Sequence, residues 1–212
     1  MANVQKGGDG KLRCYWCLTS PELMNYHDED WGLADQDDFK LFEKICLESF
    51  QSGLSWSTIL RKREGFRKAF ANFNYDVVAN YTEADVTRLM ADKDIVRHRG
   101  KIEAAINNAR CVQKMVKEYG CLSDYFWRYE VPTNSVPDSD DVSQAAILSK
   151  DLKKRGWKFV GPTTVYAFMQ AIGLVNDHAE DCEFSNAHDH ARMVARNKLK
   201  QAAIKQCENS PH

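Results

Sequence analysis

The segment KDLKKRGWKFVGPTTVYAFMQAIGLVNDHAEDC, residues 150–182, decides the fold. A helical run through Ala145, Ala146, Ile147, Leu148 and Leu152 enters it and ends in Lys153, Lys154 and Arg155, followed by Gly156. Cations in a last turn with glycine just beyond are a helix stop. The turn Trp157-Lys158-Phe159-Val160-Gly161 follows. A second helix is predicted from Pro162-Thr163, because proline's fixed φ and missing N–H suit a first helical turn. Val165, Phe168, Met169 and Ile172 recur at i, i+3, i+4 and i+7, one helical face, and Gly173 closes it. A tight turn ending just before a helix N-terminus presents outward N–H groups and a dipole that favours an anion. The same pattern also suits an ordinary helical hairpin.

Outward from the hairpin, the rest of the chain reads as helical. Ser20-Pro21-Glu22 offers an N-cap, a first-turn proline and an acidic first turn, and predicts a short helix through Tyr26 and His27. Asp35 to Asp38 punctuates a longer helix with Phe39, Leu41, Phe42, Ile45 and Cys46 as its apolar arc. Glu48 falls about 20° from Leu41 on the helical wheel. A carboxylate at that edge is a candidate for partial burial, although reaching solvent or pairing with an arginine is the commoner fate. Gln51-Ser52-Gly53-Leu54-Ser55-Trp56 breaks the pattern, and Thr58 to Phe70 predicts one helix. Thr82-Glu83-Ala84-Asp85 resembles a capping box, and the basic turn Arg97-His98-Arg99-Gly100-Lys101 opens a long helix. No period-2 strand and no internal repeat stands out, so the expected class is all-α with seven or more helices.

Domain organisation follows. Residues 1–13 are expected to be a flexible arm, 14–182 the folded domain with its hairpin at about 145–173, 131–142 a polar proline-containing loop, and 183–212 a tail that either holds one short helix or is partly disordered. The length of 212 residues supports a sizeable core, and 43% hydrophobic content is that of a globular chain. No apolar run approaches ~18 residues and the start lacks a signal-peptide core, so no membrane span and a cytoplasmic location are expected. A net charge of −1 excludes a basic nucleic-acid coat; any such site must be a local patch. Seven cysteines without an export signal suggest metal ligands or buried thiols rather than a disulfide framework.

His178 and Cys182 stand four apart after the second hairpin helix, and Cys14 and His27 lie near the other end of the chain. Two cysteines and two histidines suit a closed tetrahedral zinc site that would clip the two ends together. Spacing alone leaves competitors: Cys17 makes C-x-x-C with Cys14, and His188 and His190 form H-x-H.

Four segments taken together resemble the DNA-3-methyladenine glycosylase I family of bacterial alkylation-repair enzymes. They are CYWCLTSPELMNYHDEDWG (14–32), KLFEKICLESFQSGLSWSTILRKRE (40–64), DIVRHRGKIEAAINNA (94–109) and LKKRGWKFVGPTTVYAFMQAIGLVNDHAEDC (152–182). The resemblance implies a helix-hairpin-helix DNA glycosylase fold and one structural zinc held by Cys14, His27, His178 and Cys182. It implies Glu48 as the carboxylate that recognises the base, against the commoner fate above, with Trp16, Tyr26 and Trp56 as aromatic pocket residues. It implies that Gly53-Leu54 approaches the gap left by a flipped nucleotide.

The substrate so implied is alkylated double-stranded DNA, the product free 3-methyladenine, and the expected state a monomer. The hairpin residues Lys158, Val160, Gly161, Thr163 and Thr164 are expected on DNA phosphates, with Lys153, Lys154, Arg155, Arg97, Arg99 and Lys101 adding charge. Thr163 stands near where bifunctional glycosylases carry a Schiff-base lysine, so base removal without strand cleavage is expected. The family lacks the usual catalytic aspartate, and Asp177 receives no catalytic role by resemblance. Three departures stand out: Leu23 where relatives often have a second tyrosine, Phe50 where many have glutamine, and the extra Cys17.

Overall fold

The computed structural model describes residues 3–131 and 140–208. An antiparallel pair, β1 (Val4–Lys6) and β2 (Leu12–Cys14), opens the chain with Val4 opposite Cys14. Sequence reading expects a flexible arm there. Arg13 supplies what that reading lacks: its buried guanidinium pairs with Asp9 and with Asp28, each at 2.7 Å. A 3-10 turn, Tyr15–Thr19, leads to α1 (Pro21–Glu29), where Ser20 accepts from the Leu23 N–H at 3.2 Å as the cap residues imply.

The core is built around α2 (Asp38–Gln51). Every residue from Leu41 to Phe50 is buried, so this helix is not amphipathic in use; it is surrounded on all sides. Two of its three buried charges have protein partners. Glu43 meets Arg63 at 2.6 Å and Arg67 at 2.9 Å, and Lys44 meets Asp30 at 2.8 Å and Asp35 at 2.6 Å. Glu48 makes no ion pair or hydrogen bond with the described residues.

Around α2 follow α3 (Trp56–Arg61), α4 (Arg63–Ala69), α5 (Tyr75–Val78), α6 (Glu83–Ala91), α7 (Arg99–Tyr119) and α8 (Leu122–Phe126). The single helix expected over Thr58–Phe70 is broken at Lys62, whose backbone sits at φ −97° and ψ 0° and whose ammonium donates to the Lys93 carbonyl at 2.7 Å. The capping box at Thr82 and Asp85 is formed on both arms. Of the loop expected at 131–142, residues 132–139 lie outside the described residues.

The hairpin consists of α9 (Asp140–Lys154) and α10 (Pro162–Ala171), which pack on each other, with α10 also against α2. Gly156 stands at φ +90°, a conformation that only glycine adopts at little cost. Val165, Phe168, Met169 and Ile172 are all fully buried, as their spacing requires. The turn is braced from behind. Asn107 donates to the Gly156 carbonyl (2.8 Å), Asn108 both donates to the Lys158 carbonyl and accepts its N–H (2.9 Å each), and Ser49 and Ser149 donate to the carbonyls of Phe159 (3.0 Å) and Val160 (2.7 Å).

The described residues end in α11 (Ser185–Glu208), a long helix where sequence reading expects one short helix or a partly disordered tail. Its polar, weakly patterned sequence hides two anchors. Arg192 is buried and donates to the Leu174 carbonyl at 3.1 Å, and Arg196 meets Glu130 at 2.5 Å. Among the described residues no helix is long and apolar enough to cross a membrane.

Candidate functional site

Helix α2 delivers Glu48 to the wall of a cleft of about 1050 Å³, which Trp16, Tyr26, Trp31, Gln51 and Trp56 also line. Tyr26 comes from α1 and Trp56 from the first turn of α3; their rings lie 5.0 Å apart, tilted by 47°. Trp16 packs edge-on against Trp31 at 5.1 Å. Aromatic faces thus surround a carboxylate that is only 6% exposed. Burial pushes the Glu48 carboxyl up to about 8, with the Lys44 ammonium one turn away opposing the shift. An acid near neutral pH, without a partner among the described residues and facing a cleft, is poised to meet a ligand.

Gln51 and Trp56 flank the loop that carries Gly53, at φ +82°, and Leu54, 43% exposed. The loop is held from beneath. The buried Lys101 ammonium donates to the carbonyls of Phe50 (2.9 Å) and Ser52 (2.6 Å), and Ser55 caps α3 through the Thr58 N–H at 3.3 Å. Lys101 therefore acts as an internal clamp, not as a cation for DNA. Arg99 and Arg155 are also engaged internally, with Glu83 and with Glu118 and Asp151, each at 2.7 Å.

On the hairpin, the Lys158 N–H is spent on Asn108, which removes it from the expected set of phosphate donors. The first turn of α10, beginning at Gly161, has no side-chain cap, so the N–H groups around Thr163 and Thr164 face outward uncapped. Beside it, Val160 is buried, and Phe159 is 40% exposed at φ +56°, a strained left-handed turn residue.

The cleft backs onto four buried ligand-type residues. Cys14 at the end of β2, His27 on α1, and His178 and Cys182 after α10 bring their ligand atoms within 4.8 Å of one another. Cys182 Sγ lies 3.5 Å from His178 Nδ1 and 3.6 Å from His27 Nε2, and Cys14 Sγ lies 3.8 Å from His178 Nδ1. Burial holds the imidazoles of both histidines neutral by lowering their pKa values, His178 to about 3 with help from His188 and His27. The competitors separate: Cys17 is buried but outside this cluster, His190 is exposed, and His188 reaches the cluster only through His178.

The methyladenine glycosylase family model matches residues 16–186. DNA-3-methyladenine glycosylase of Haemophilus influenzae is 45% identical over 179 residues, which cover 80% of this chain and 96% of that protein. The crystal structure of a 3-methyladenine DNA glycosylase I superposes with a TM-score of 0.74 at 43% identity, over 81% of this chain and 98% of that one. A structure of the Staphylococcus aureus 3-methyladenine DNA glycosylase I, determined for its recognition of 3-methyladenine, gives a TM-score of 0.71 at 40% identity, over 78% and 92%. The chain belongs to the methyladenine glycosylase family.

It is accordingly a glycosylase, a hydrolase of N-glycosidic bonds. In this glycosylase the departure at Phe50 leaves the cleft untouched, because the ring points into the core, 4.6 Å from Phe66. Leu23 is likewise buried and does not line the cleft. Sequence reading missed Trp31, Gln51 and Gln170 as lining residues. Trp31 sits inside the quoted segment 14–32, and its signal was a lone tryptophan five residues beyond Tyr26. Arg13 and Asp28, which support the four-residue cluster, carried no pattern at all, and His188 was visible only as half of the H-x-H pair with His190.

Proposed function

We propose that this glycosylase removes 3-methyladenine from alkylated double-stranded DNA by hydrolysis, leaving the strand intact. One observation carries the reading: Glu48 is a buried carboxylate with no partner among the described residues, set with Trp16, Tyr26 and Trp56 in an open cleft. Methylation at N3 places positive charge on the purine. Aromatic faces attract such a cation and the Glu48 carboxylate pairs with it, accepting hydrogen bonds from its amine and ring edge. Neutral adenine gives the carboxylate no compensating charge, which is the basis of discrimination.

The target base is stacked inside duplex DNA and must be extruded to reach the cleft, at a cost of a few kcal/mol. Leu54, on its braced loop, is placed to occupy the gap. The uncapped start of α10 and its neighbours Val160, Gly161, Thr163 and Thr164 grip phosphates through backbone N–H groups. The alkylated base is already a good leaving group, so the enzyme's contribution is mainly extrusion, recognition and charge placement. Thr163 cannot form a Schiff base, so no strand cleavage follows. Asp177 is bonded to Gln170 and has no catalytic role in this scheme.

Cys14, His27, His178 and Cys182 would hold one Zn²⁺. Zinc–sulfur and zinc–nitrogen bonds of ordinary length give sulfur–nitrogen edges of about 3.6 Å in a tetrahedron; three of the four such edges here span 3.5–3.8 Å. Four protein ligands leave no open position, so the metal supplies structure, tying β2 and α1 to the segment after α10. Release of free base from methylated duplex DNA, read by chromatography beside a gel for strand breaks, tests the activity. Free 3-methyladenine with intact strands is expected. No release from folded, zinc-loaded protein would overturn the proposal.

A further inference from the structure

We propose that His188, brought in by α11, is a positioning residue for the metal centre: it receives the outward N–H of His178 and so fixes Nδ1 as that residue's ligating nitrogen. The inference rests on the proposed metal site. Its origin lies in a part of the chain outside the family match, which ends at residue 186.

The geometry is specific. His178 turns Nδ1 toward Cys182 Sγ and Cys14 Sγ, and its other nitrogen, Nε2, points away and lies 2.7 Å from His188 Nδ1. The two rings stand edge to face with centroids 4.3 Å apart, and His188 is only 2% exposed. A Cβ on Gly32 would lie 2.8 Å from His188 Nδ1, so no side chain fits beside the pair. A ligating imidazole presents a lone pair to the metal and carries its proton on the other nitrogen. Buried, that N–H needs an acceptor. The Trp31 backbone also lies within reach of His178, but His188 Nδ1 is the partner at 2.7 Å; in the proposed arrangement it is the unprotonated nitrogen, with the proton of His188 on Nε2.

The second ligand histidine is arranged oppositely. His27 faces Cys182 with Nε2 and holds the Asp28 carboxylate with Nδ1 at 2.9 Å, and Asp28 is neutralised by Arg13 at 2.7 Å. Charge explains the difference. Two thiolates balance a divalent ion, and Asp28 has the Arg13 guanidinium, which it shares with the solvent-exposed Asp9. A carboxylate against His178 would leave one buried negative charge uncompensated, whereas a neutral imidazole accepts the proton without adding charge. Arg192 and Arg196 fasten α11 to Leu174 and Glu130, so the acceptor is held in place. The C-terminal helix thus completes the centre that clips the N-terminal strands.

The test compares Zn²⁺ dissociation from the full chain, challenged with a colorimetric chelator, for wild type, His188→Leu and His188→Asn. Leucine keeps apolar bulk and removes the acceptor; asparagine places a carbonyl oxygen near the position of Nδ1. We expect His188→Leu to release zinc about 10–100-fold faster, and His188→Asn to stay near wild type. Co²⁺-substituted His188→Leu should show altered d–d absorption, which a merely packing role would not produce. Equal release from both variants and wild type overturns the inference, as does equal acceleration in both. A wild type that binds no Zn²⁺ overturns the metal reading and this inference with it. Should the variants fail to fold, ¹⁵N spectra of the zinc-loaded wild type decide: protonated His178 Nε2 and bare His188 Nδ1 support the inference, and the reverse tautomers overturn it.

Discussion

Replacing Glu48 with glutamine should make this enzyme more stable while destroying its function, and the effect should depend on pH in a defined direction. In the folded protein the carboxyl is raised from 4.5 to about 8 by burial. Between those values the folded state holds a proton that the unfolded chain has released. Wild-type stability therefore falls as pH rises through this window, by up to about 1.4 kcal/mol per pH unit. At pH 7 the full penalty is about 3 kcal/mol, and the open side of the cleft lets water screen the charge, leaving roughly 1–3 kcal/mol. Glutamine matches the protonated acid in shape and cannot ionise. Glu48→Gln should raise Tm by about 2–10 °C at pH 7, by more at pH 9, and by almost nothing at pH 4.5. Calorimetry of both proteins across that range is the assay, with base release from methylated DNA measured alongside. A Tm difference that does not change with pH, or a variant less stable at pH 7, would refute the idea that Glu48 is an unpartnered, desolvated carboxylate. The same ionisation predicts that excision efficiency rises with pH toward about 8, because only the carboxylate can pair with a cationic base.

Three further outcomes follow from the geometry. Trp56→Ala removes the proposed stacking face and should lower kcat/KM for methylated DNA by roughly 10–100-fold, measured by base release at a temperature where the variant, which also loses its packing on Tyr26, stays folded. Lys101→Met leaves the Phe50 and Ser52 carbonyls without their buried ammonium donor; stability should fall by roughly 2–4 kcal/mol, and hydrogen exchange should quicken in residues 51–56. With zinc held as proposed, stripping it with a chelator should lower Tm by about 10 °C, a few kcal/mol at this chain length, and loosen first the segments around Cys14 and residues 178–185. Exchange spread evenly over the molecule would argue that the cluster is not a clip.

Local signals in the sequence carried much of the fold. The stop at Gly156, the proline at 162 and the i, i+3, i+4, i+7 series of α10 are short-range features, and each element they predicted is present. The capping box at Thr82 is equally local and equally present. What escaped reading was held by distant partners. The strands β1 and β2 are three residues each, too short for a period-2 pattern, and are pinned by Arg13 to Asp28 on another element. Helix α11 has little apolar periodicity because two arginines, reaching Leu174 and Glu130, anchor it instead of an apolar stripe. The break at Lys62 coincides with a side-chain bond to a carbonyl 31 residues away.

The site shows the same division at finer grain. From the wheel, Glu48 was a carboxylate at the edge of an apolar arc, and pairing with an arginine was its commoner fate. That fate belongs to its neighbour: Glu43 takes both Arg63 and Arg67, residues 20 and 24 positions further along. Lys44 takes Asp30 and Asp35. Nothing in the spacing of α2 says which of its buried charges will find partners, because the partners arrive from α4 and from the loop after α1. Once they are assigned, the charges of α2 sort by subtraction. Two are neutralised inside the protein, and the third faces a cleft walled by aromatic rings with its carboxyl raised to about 8. A fold that satisfies Glu43 and Lys44 so fully leaves Glu48 only the opposing pull of a Lys44 ammonium already held by Asp30 and Asp35, so burial wins and the ionised form of Glu48 gains most from a cation that enters the cleft.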